Sequence, residues 1–323
     1  MPTLAADEAL EACLNSLEGQ SMRDFEVIVV HNKAGATLRV REGVRVISND
    51  RNLGFGAAIN QAIRASESPY IATLNDDAVA RPGWLEALTR AIAERPEIGM
   101  CASQVVLARK DGGLDSAGML VCGDGSSKQC GHLEPPENFG RRKHALLPSG
   151  CAAMYKREML DEIGFFDESF FLYCEDTDLG LRARWAAWEC VYVPDAVVEH
   201  RYSHSAGAAS ALKAYYVERN RLYLLVKNFP APMLWRAPFY SLVRYFWHAL
   251  YSRRGQGAAA AYKRSRGNAP ALPLLVLRAH LDMLRNLGRL RSERKKIRRR
   301  LTPKQFRKLL AQYSIAPRKV AAL

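Results

Sequence analysis

The sequence predicts an α/β protein built on a doubly wound, mostly parallel β-sheet, with a helical and basic extension at its C-terminus. Short apolar runs such as Phe25–Val30 and Tyr70–Leu74 have the continuous hydrophobicity of strands buried on both faces. Helical patterns of about ten residues alternate with these runs over the first 110 residues. Beyond about residue 206 the pattern becomes helical, aromatic and basic to the end.

Local signals place the elements of the first part. Asp7 to Leu17 carries leucines on one helical face and acidic residues in its first turn, which is typical of a helix start. The other predicted elements are strands at 25–30, 44–47, 70–74 and 98–102, helices at 55–65 and 83–94, and strand-like pieces at 190–194 and 197–198. Residues 111–148 are rich in Gly, Ser, Pro and charge, and predict surface loops around short strands.

Charge divides the chain into two parts. From residue 201 to the end, 27 Lys and Arg stand against 3 Asp and Glu, a net charge of +24, whereas residues 1–200 carry a net charge of −10. We therefore predict an α/β domain over residues 1–210 and a helical, basic and aromatic region over residues 211–323. The basic region would be attracted to a polyanion, either an anionic lipid surface or a nucleic acid.

No segment of the sequence has the pattern of an export signal or of a membrane span. Met1–Leu17 contains acidic residues and lacks an apolar core. The most apolar later segment, Phe229–Tyr251, is interrupted by Arg236, Arg244 and His248 and contains three prolines. Aromatic residues mixed with arginine in this way favour an element that lies in the membrane interface.

The sequence favours a cytoplasmic protein that is peripheral at the inner face of the cell membrane. The seven cysteines are scattered and form no CxxC pair, which favours a reducing compartment. The run Arg294–Arg300 is strongly basic, but no nucleic-acid recognition module accompanies it, so we predict no nucleic-acid partner. A solvated basic appendage without a membrane role is the alternative interpretation of the C-terminal region.

Three groups of residues could carry chemistry. Asn75, Asp76 and Asp77 follow an apolar strand, where ligands of open α/β sheets bind and where carboxylates can hold a divalent cation. Glu175 and Asp176 open a helix after an aromatic run, where a carboxylate can accept a proton from a hydroxyl. His200 follows a strand and is a candidate metal ligand, with His204 as an alternative.

Each group also has a structural interpretation without catalysis. An Asp-Asp pair after a strand is often a turn or a helix cap. Acidic residues in the first turn of a helix complement its dipole. A single histidine is usually a polar residue with satisfied hydrogen bonds, so no group is decisive by itself.

Taken together, the motifs resemble those of family 2 glycosyltransferases, in particular the rhamnosyltransferase-like branch. The segments that carry the resemblance follow the family's order and extend over roughly residues 7–228: Asn52–Asn60, Leu74–Ala78, Gly164–Glu168 with Glu175–Leu179, Val193–Ala196 before His200, and Tyr215–Asn220. The resemblance implies a GT-A-like fold and transfer of a sugar from a nucleotide-sugar donor.

The resemblance also implies roles for individual residues. Asn75 and Asp76 lie in the family's DXD-type site, with Asp77 as ligand of Mg²⁺ or Mn²⁺ and His200 as the later metal ligand. Asp176 matches the general base of the Glu175–Asp176 pair, and Asn52 and Gly54 fall in the loop that approaches the nucleotide sugar. Ser149–Ala153 falls where donor sugar and acceptor meet.

These roles predict an inverting displacement in which Asp176 deprotonates an acceptor hydroxyl. The expected donor is a dTDP- or UDP-sugar. The expected acceptor is a polyprenyl-linked or cell-envelope glycan at the membrane surface.

Two departures from the family pattern stand at the N-terminus. The family opens with a strand, but Met1–Ala6 leads directly into the first helix, so the first strand is predicted to be missing. The second strand ends in Val30-His31-Asn32, where the family has an Asp near the nucleotide base. A start upstream of Met1 would explain the first departure. The alternative function is a degenerate, non-catalytic protein of sugar-nucleotide fold that serves in binding or assembly.

Overall fold

The structure is a computed structural model that describes residues 1–5, 7–33, 41–109, 112–201, 210–265 and 267–323. The chain divides into two compact units. The first consists of Met1–Met119 and Gln129–Tyr202, and the second of Leu120–Lys128 and Ser203–Leu323.

The first unit alternates strands and helices. The elements up to residue 200 are, in chain order, β1 (Pro2–Thr3), α1 (Glu8–Glu18), β2 (Val27–His31), β3 (Val44–Ser48), α2 (Phe55–Arg64), β4 (Tyr70–Leu74), β5 (Ala78–Ala80), α3 (Trp84–Ala93), β6 (Ile98–Leu107), β7 (Leu114–Ser116), β8 (Met119–Val121), β9 (Ser127–Gln129), β10 (Lys143–Ala145), β11 (Ala152–Lys156), α4 (Arg157–Ile163), α5 (Glu175–Trp185) and β12 (Glu189–His200). Strands β8 and β9 pair with each other, and most of their residues belong to the second unit.

The strands of the first unit form two main sheets. One has the order β1-β2-β3 and is parallel throughout. The other has the order β10-β12-β6-β11-β4, with β12 parallel to β6 and β11 antiparallel to both of its neighbours. The predicted α/β fold class is confirmed, and the larger sheet is mixed because β11 inserts in the opposite direction.

Helices cover both faces of these sheets, as doubly wound folds require. Residues of α1 and α3, such as Leu14 and Leu88, belong to one buried cluster with Val29 of β2. Residues of α2 and α5, such as Ile59 and Leu179, belong to a second cluster. The apolar stripes recognised in the sequence therefore bury against the sheets from opposite sides.

The first strand, predicted to be missing, is present in the structure as two residues. Pro2 and Thr3 lie parallel to Val30 and His31 of β2. The backbone ladder is formed by the N–H of Val30, which donates to the Met1 carbonyl at 2.8 Å, and by the N–H of Asn32, which donates to the Thr3 carbonyl at 2.8 Å. A two-residue strand has no periodicity that a sequence pattern could reveal.

A gap separates the two sheets beside this short strand. β2 pairs with β1 and β3, and β4 pairs with β11, so no strand of the described residues joins β2 to β4. A cavity of about 680 Å³ lies there, lined among others by Val27, Ile28 and Ile71. These lining residues are apolar, which is typical of strands whose two faces are both covered by other elements.

The N-terminal amine of Met1 lies at the edge of this gap. It is buried and donates to the Ile28 carbonyl at 2.9 Å, continuing the β1 ladder in the position of a strand N–H. Burial lowers the pKa of this amine from 8.0 to about 6, against the smaller opposing effects of Cys13 and Asp76. The protonated amine is costly at this place because burial removes it from water.

The second unit is helical among its described residues after position 209. Its helices are α6 (Ala211–Asn228), α7 (Ala231–Leu234), α8 (Ala237–Arg253), α9 (Gly257–Ser265), α10 (Leu272–Arg285), α11 (Leu287–Lys296), α12 (Pro303–Gln312) and α13 (Pro317–Ala322). Among the described residues, none of the helices is both long and apolar enough to span a bilayer.

A buried ionic cluster lies inside the second unit. Arg244 donates to Asp124 at 2.5 Å and to Glu218 at 2.9 Å, and Arg221 bonds to Glu218 and to the Asp124 carbonyl. Burial opposes ionisation of Glu218, but the two arginines outweigh it and hold the pKa of Glu218 below its usual range. The 120–128 segment therefore belongs to this unit through paired charges.

Part of the basic run near the C-terminus is also structural. Arg294 donates to the carbonyls of Val226, Lys227 and Phe229 at 2.9, 3.3 and 2.7 Å. These carbonyls lie at the C-terminal end of α6, where a cation complements the helix dipole. Arg294 thus stabilises the helix end, and the run 294–300 does not act as one solvated patch.

An N-terminal extension tests the cost of the gap. Adding about five Val and Ile residues before Met1 should raise the melting temperature, because the extension converts the amine into an amide and can pair with the strands beside the gap. The free-amine protein should also gain about 2 to 3 kcal/mol of unfolding free energy from pH 6 to pH 8, relative to the extended form. The sign follows because the unfolded amine binds the proton more tightly across this window.

A Gly-Ser extension of equal length is the control, since it removes the buried charge and leaves the cavity unfilled. Thermal and urea unfolding should rank the Val-Ile form above the Gly-Ser form. Equal stability of the two extended forms would show that the gap does not accept a strand.

Candidate functional site

Asp77 and His200 form the first part of the site. Asp77 lies in the turn between β4 and β5, and His200 ends β12, whose last residues pair with β5. The Asp77 Oδ1 and His200 Nε2 atoms are 3.2 Å apart, and both side chains are buried. On its other ring nitrogen, His200 contacts Asp115 Oδ2 at 2.8 Å.

These contacts determine the charge of the imidazole. Burial opposes protonation of His200, yet the neighbouring Cys151 thiol and the carboxylates of Asp115 and Asp77 raise the pKa of His200 well above its ordinary value. Asp115 is also buried, but hydrogen bonds from His132 and His200 keep its pKa below the usual range. His200 is therefore an imidazolium between two carboxylates.

Asp77 and His200 have the chemistry to supply two ligands of a divalent cation, and substrate oxygens would supply the others. The described residues contain no group of three or more His, Cys, Asp and Glu side chains that could hold a metal ion alone. Mg²⁺ is usually held by one or two carboxylates together with phosphate oxygens, and two adjacent octahedral ligands at about 2.1 Å lie about 3 Å apart. The 3.2 Å separation of Asp77 Oδ1 and His200 Nε2 suits such ligands, and binding of a cation would require loss of the proton on that nitrogen.

Asp176 forms the second part of the site, at the start of α5. Its Oδ2 accepts from the Gly150 N–H at 2.9 Å, and its Oδ1 accepts from the Thr177 N–H at 2.6 Å. Burial raises the pKa of Asp176, and these hydrogen bonds partly oppose the shift. The result is an oriented carboxylate that is a stronger proton acceptor than an exposed one.

Glu175 stands beside Asp176 and differs from it in environment. It is buried, and its Oε2 has no hydrogen-bond partner among the described residues. Burial, followed by the charge of Asp176, raises the pKa of Glu175 to about 8. Glu175 is therefore mainly neutral at pH 7.

The loop before α5 is conformationally strained. Phe171, Tyr173 and Cys174 have φ values of 63°, 68° and 67°, a region that residues other than glycine rarely adopt. Cys174 is the residue that precedes the helix, so the strain lies where the acidic pair is positioned. Strain of this kind costs about 1 to 3 kcal/mol per residue and concentrates at functional sites.

The segment Ser149–Cys151 joins the two parts of the site. Gly150 donates to Asp176, and the Cys151 thiol is within hydrogen-bonding reach of His200. The Cys151 carbonyl accepts from the Asn75 N–H at 2.9 Å. Two consecutive residues therefore make these contacts: Gly150 contacts the predicted base, and Cys151 contacts both the predicted DXD-type turn and the predicted histidine ligand.

Asn52 and Gly54 lie in a loop that Asn32 organises. Asn32 is buried and donates to Asn52 Oδ1 at 3.0 Å and to the Gly54 carbonyl at 3.1 Å, while its own Oδ1 accepts from Asn49 and from the Leu53 N–H. Asn32, which follows the His31 that stands where the family has an Asp, thus holds the loop through its amide. Nothing in the structure explains why the preceding His31 is buried with its Nδ1 unpartnered.

Gly54 is also the point where this loop meets the strained one. Its φ is +93°, and a Cβ there would lie 2.4 Å from the Phe171 carbonyl oxygen. The adjacent Phe55 N–H donates to that same oxygen at 2.7 Å. Glycine at position 54 is therefore required by both backbone conformation and space.

The structure brings several of the predicted site residues together. Asp77 and His200 touch, Asp176 is linked to them through Ser149–Cys151, and Asp76 lies beside Asp77, where burial raises its pKa. Asn75 uses its backbone N–H and carbonyl to hold the turn. His204, the alternative ligand, lies outside the described residues.

Sequence reasoning missed Asp115, His132 and Asn32. Asp115 lies in β7 and reaches His200 across 85 positions, which no local pattern indicates. For Asn32 a local signal existed, since it is a polar residue directly after an apolar strand end.

Comparisons with known proteins agree with this geometry. A sequence profile of glycosyl transferase family 2 matches residues 1–164, about half of the chain. The chain is 30% identical over 261 residues to the N-acetylglucosaminyl-diphospho-decaprenol L-rhamnosyltransferase of Mycobacterium tuberculosis (strain ATCC 25618 / H37Rv), covering 71% of this chain and 83% of that protein. The protein belongs to glycosyl transferase family 2, and it is a glycosyltransferase of the rhamnosyltransferase-like type.

Other relatives and solved structures support the family and the fold. An uncharacterized protein, y4gI, of Sinorhizobium fredii (strain NBRC 101917 / NGR234) is 31% identical over 227 residues; the match covers 64% of this chain and about a quarter (24%) of that relative. Mannosyltransferase PcManGT from Pyrobaculum calidifontis, solved with GDP-Man and Mn²⁺, superposes with a TM-score of 0.51 at 16% identity over 92% of this chain and 83% of that chain. GalNAc-T7, solved with UDP, GalNAc and Mn²⁺, superposes with a TM-score of 0.54 at 13% identity over 86% of this chain and 55% of that chain. The fold is that of GT-A glycosyltransferases.

The substitution Gly54→Ala should destabilise the protein and weaken donor binding. The added Cβ meets the Phe171 carbonyl, and the backbone conformation alone costs about 1 to 3 kcal/mol for a residue other than glycine. Gly83→Ala is the matched control, because a Cβ there has no atom within 4 Å. Urea unfolding measures the difference, and equal stability of the two variants would contradict the proposed contact.

The substitution Glu175→Gln should make stability less dependent on pH. Because the pKa of Glu175 is about 8 in the folded protein and 4.5 ordinarily, the folded state binds more protons between these values. The wild type therefore loses up to about 1.4 kcal/mol of unfolding free energy per pH unit as pH rises through this window. The glutamine variant lacks this loss and should be the more stable protein above pH 8.

Glu158→Gln, an exposed change in the first turn of α4, is the control for that measurement. Its unfolding free energy should follow the wild type at each pH. A parallel pH dependence of Glu175→Gln and wild type would exclude a neutral buried Glu175.

Proposed function

We propose that this protein is an inverting glycosyltransferase that moves a sugar from a dTDP- or UDP-sugar to a hydroxyl group of a lipid-linked or cell-envelope glycan. The observation that carries this proposal is that the adjacent residues Gly150 and Cys151 contact Asp176 and His200, respectively. The proposed proton acceptor and the proposed metal-side histidine thus contact neighbouring residues of one segment.

Asp176 is the general base in this proposal. It receives the proton of the acceptor hydroxyl while the hydroxyl oxygen forms a bond to the anomeric carbon and the bond from that carbon to the diphosphate breaks. The Gly150 and Thr177 N–H groups fix the direction of its oxygens. Neutral Glu175 avoids a second negative charge next to the base.

Asp77 and His200 are the residues that would hold a divalent cation. Such a cation neutralises charge that develops on a diphosphate leaving group. Mn²⁺ accompanies the nucleotide or nucleotide sugar in the two solved structures described above, which supports a metal-assisted donor site here. Asn75, Asp76, Asn52 and Gly54 shape the donor side of the site in this proposal.

The named relative and the charge of the chain support the proposed acceptor class. That relative is named for action on N-acetylglucosaminyl-diphospho-decaprenol, a lipid-linked sugar, and this chain covers 83% of its length. The net charge of +24 after residue 200 would hold a protein at an anionic surface. We infer a cytoplasmic enzyme that is peripheral at the inner face of the cell membrane.

The direct test is a panel of UDP-, dTDP- and GDP-sugars with Mn²⁺, with Mg²⁺ and with EDTA, read as nucleotide release and sugar transfer. The wild type should release one nucleotide in a metal-dependent manner. Asp176→Asn should lower kcat by about 10² to 10⁴ with little change in donor affinity, because it removes the proton acceptor only. Asp77→Asn should instead raise the concentration of Mn²⁺ or Mg²⁺ needed for half-maximal turnover, because it removes a charged ligand.

Asp161→Asn, an exposed carboxylate on α4, is the matched control and should keep wild-type turnover. Turnover that survives Asp176→Asn would exclude this residue as the base. Donor binding without turnover in any form would favour the non-catalytic binding protein.

A further inference from the structure

Exposed apolar side chains of the described residues concentrate in two parts of the second unit. Of the twelve large hydrophobic side chains that are exposed among the described residues, nine lie between residues 235 and 284. They are Trp235, Phe239, Tyr240, Leu242, Phe246, Leu274, Leu277, Leu281 and Leu284. Patches of this kind on a folded protein mark an interaction surface.

The outer face of α10 is a stripe of leucine. Leu274, Leu277, Leu281 and Leu284, here named the α10 stripe, recur at helical spacing and are 43–60% exposed. The opposite face carries the buried Leu275 and Ala279, which pack with Tyr215 of α6. A helix at a water-exposed surface usually carries polar residues on its outer face. The α10 stripe and the buried Leu275 and Ala279 instead give α10 apolar residues on both sides.

The outer face of α7–α8 is apolar as well. Trp235, Phe239, Leu242 and Phe246, here named the α8 stripe, also follow helical spacing, and Trp235 is 88% exposed. Across the helix, Arg244 points inward to the ionic cluster with Asp124 and Glu218. Charge is buried and apolar surface is exposed, the reverse of an ordinary helix of a water-soluble protein.

Basic residues accompany both stripes. Arg278 and Arg285 are exposed on α10, and Arg236, Arg253 and Arg254 are exposed at the two ends of α8. A second copy of the chain would bring another strongly positive surface to these stripes and would be repelled. An anionic lipid surface complements the charge and also accepts the leucine, phenylalanine and tryptophan side chains.

We propose that the α8 and α10 stripes insert into the interface of an anionic bilayer and hold the helices in the membrane plane. Leucines and aromatic rings enter the boundary of the acyl chains, while the flanking arginines contact lipid phosphates. Insertion in the plane agrees with the absence, among the described residues, of a helix that could span the bilayer. The purpose of this surface rests on the proposed function, because a lipid-linked acceptor is confined to the same bilayer.

The test is flotation of the purified 323-residue chain with vesicles, without donor or acceptor. Vesicles of phosphatidylcholine are compared with vesicles that contain about one third phosphatidylglycerol. The wild type should bind the anionic vesicles more strongly, and binding should weaken but persist at about 1 M salt, because screening removes the charge contribution and leaves the apolar one.

Two paired variants test the stripes separately. Leu277→Gln with Leu281→Gln, and Leu242→Gln with Phe246→Gln, should each lower the partition coefficient by roughly tenfold or more, since each removes two side chains that enter the lipid. Leu133→Gln is the matched control, because Leu133 is an exposed leucine of the first unit. Circular dichroism should show unchanged melting for all of them.

Trp235 supplies an independent measurement. It is the most exposed tryptophan, and its fluorescence should shift to shorter wavelength when anionic vesicles are added. Trp235→Phe should remove most of this shift while vesicle binding remains near that of the wild type. A shift that is unchanged in Trp235→Phe would show that the α8 stripe does not enter the lipid.

Three results would overturn the proposal. They are wild-type binding by both paired variants, binding that disappears entirely at high salt, and a vesicle-independent dimer that the glutamine variants dissociate. The last result would assign the stripes to a second copy. Donor turnover on a short water-soluble acceptor, which the glutamine variants should retain, is measured separately, so a failure of the proposed function is distinguishable from a failure of this surface.

Discussion

The hydrogen bond from the Gly150 N–H to the Asp176 carboxylate fixes one end of a short segment whose next residue contacts His200. Gly150 has little room for a side chain, because a Cβ there would lie 3.3 Å from the Asp176 Cβ. The segment leads directly into β11, which is paired on both sides by β4 and β6. The placement of Gly150 and Cys151 beside Asp176 and His200 is therefore tied to a strand that is paired on both sides.

Charge is balanced inside this site without solvent. Asp77, Asp115, Asp176 and Glu175 are acidic groups in a buried region, and a buried carboxylate without a partner is costly. Asp77 and Asp115 share the positive charge of His200, Asp176 accepts backbone hydrogen bonds, and Glu175 becomes neutral.

The sequence predicted the elements whose signals are local. The bounds of the strand Tyr70–Leu74 are the same in prediction and structure, and Asp77 follows it within one turn. Asp115 could not be predicted because its role depends on a strand pairing that brings distant residues together, and β1 is too short to show a period. The neutral state of Glu175 depends on burial by residues from other elements, which spacing along the chain does not encode.

The second unit differs from the first in where its charged and apolar side chains lie. Its interior neutralises Glu218, Asp124, Arg221 and Arg244 against each other, while Leu274, Leu277 and Leu281 face outward. Exposing such side chains to water gives up about 1 to 3 kcal/mol for each one that could otherwise be buried. A surface in contact with lipid recovers that free energy, and it also confines an enzyme and a lipid-linked acceptor to the same two dimensions. Confinement raises their effective concentration without any additional contact at the catalytic site, so a basic, outwardly apolar unit can increase turnover while remaining outside the chemistry.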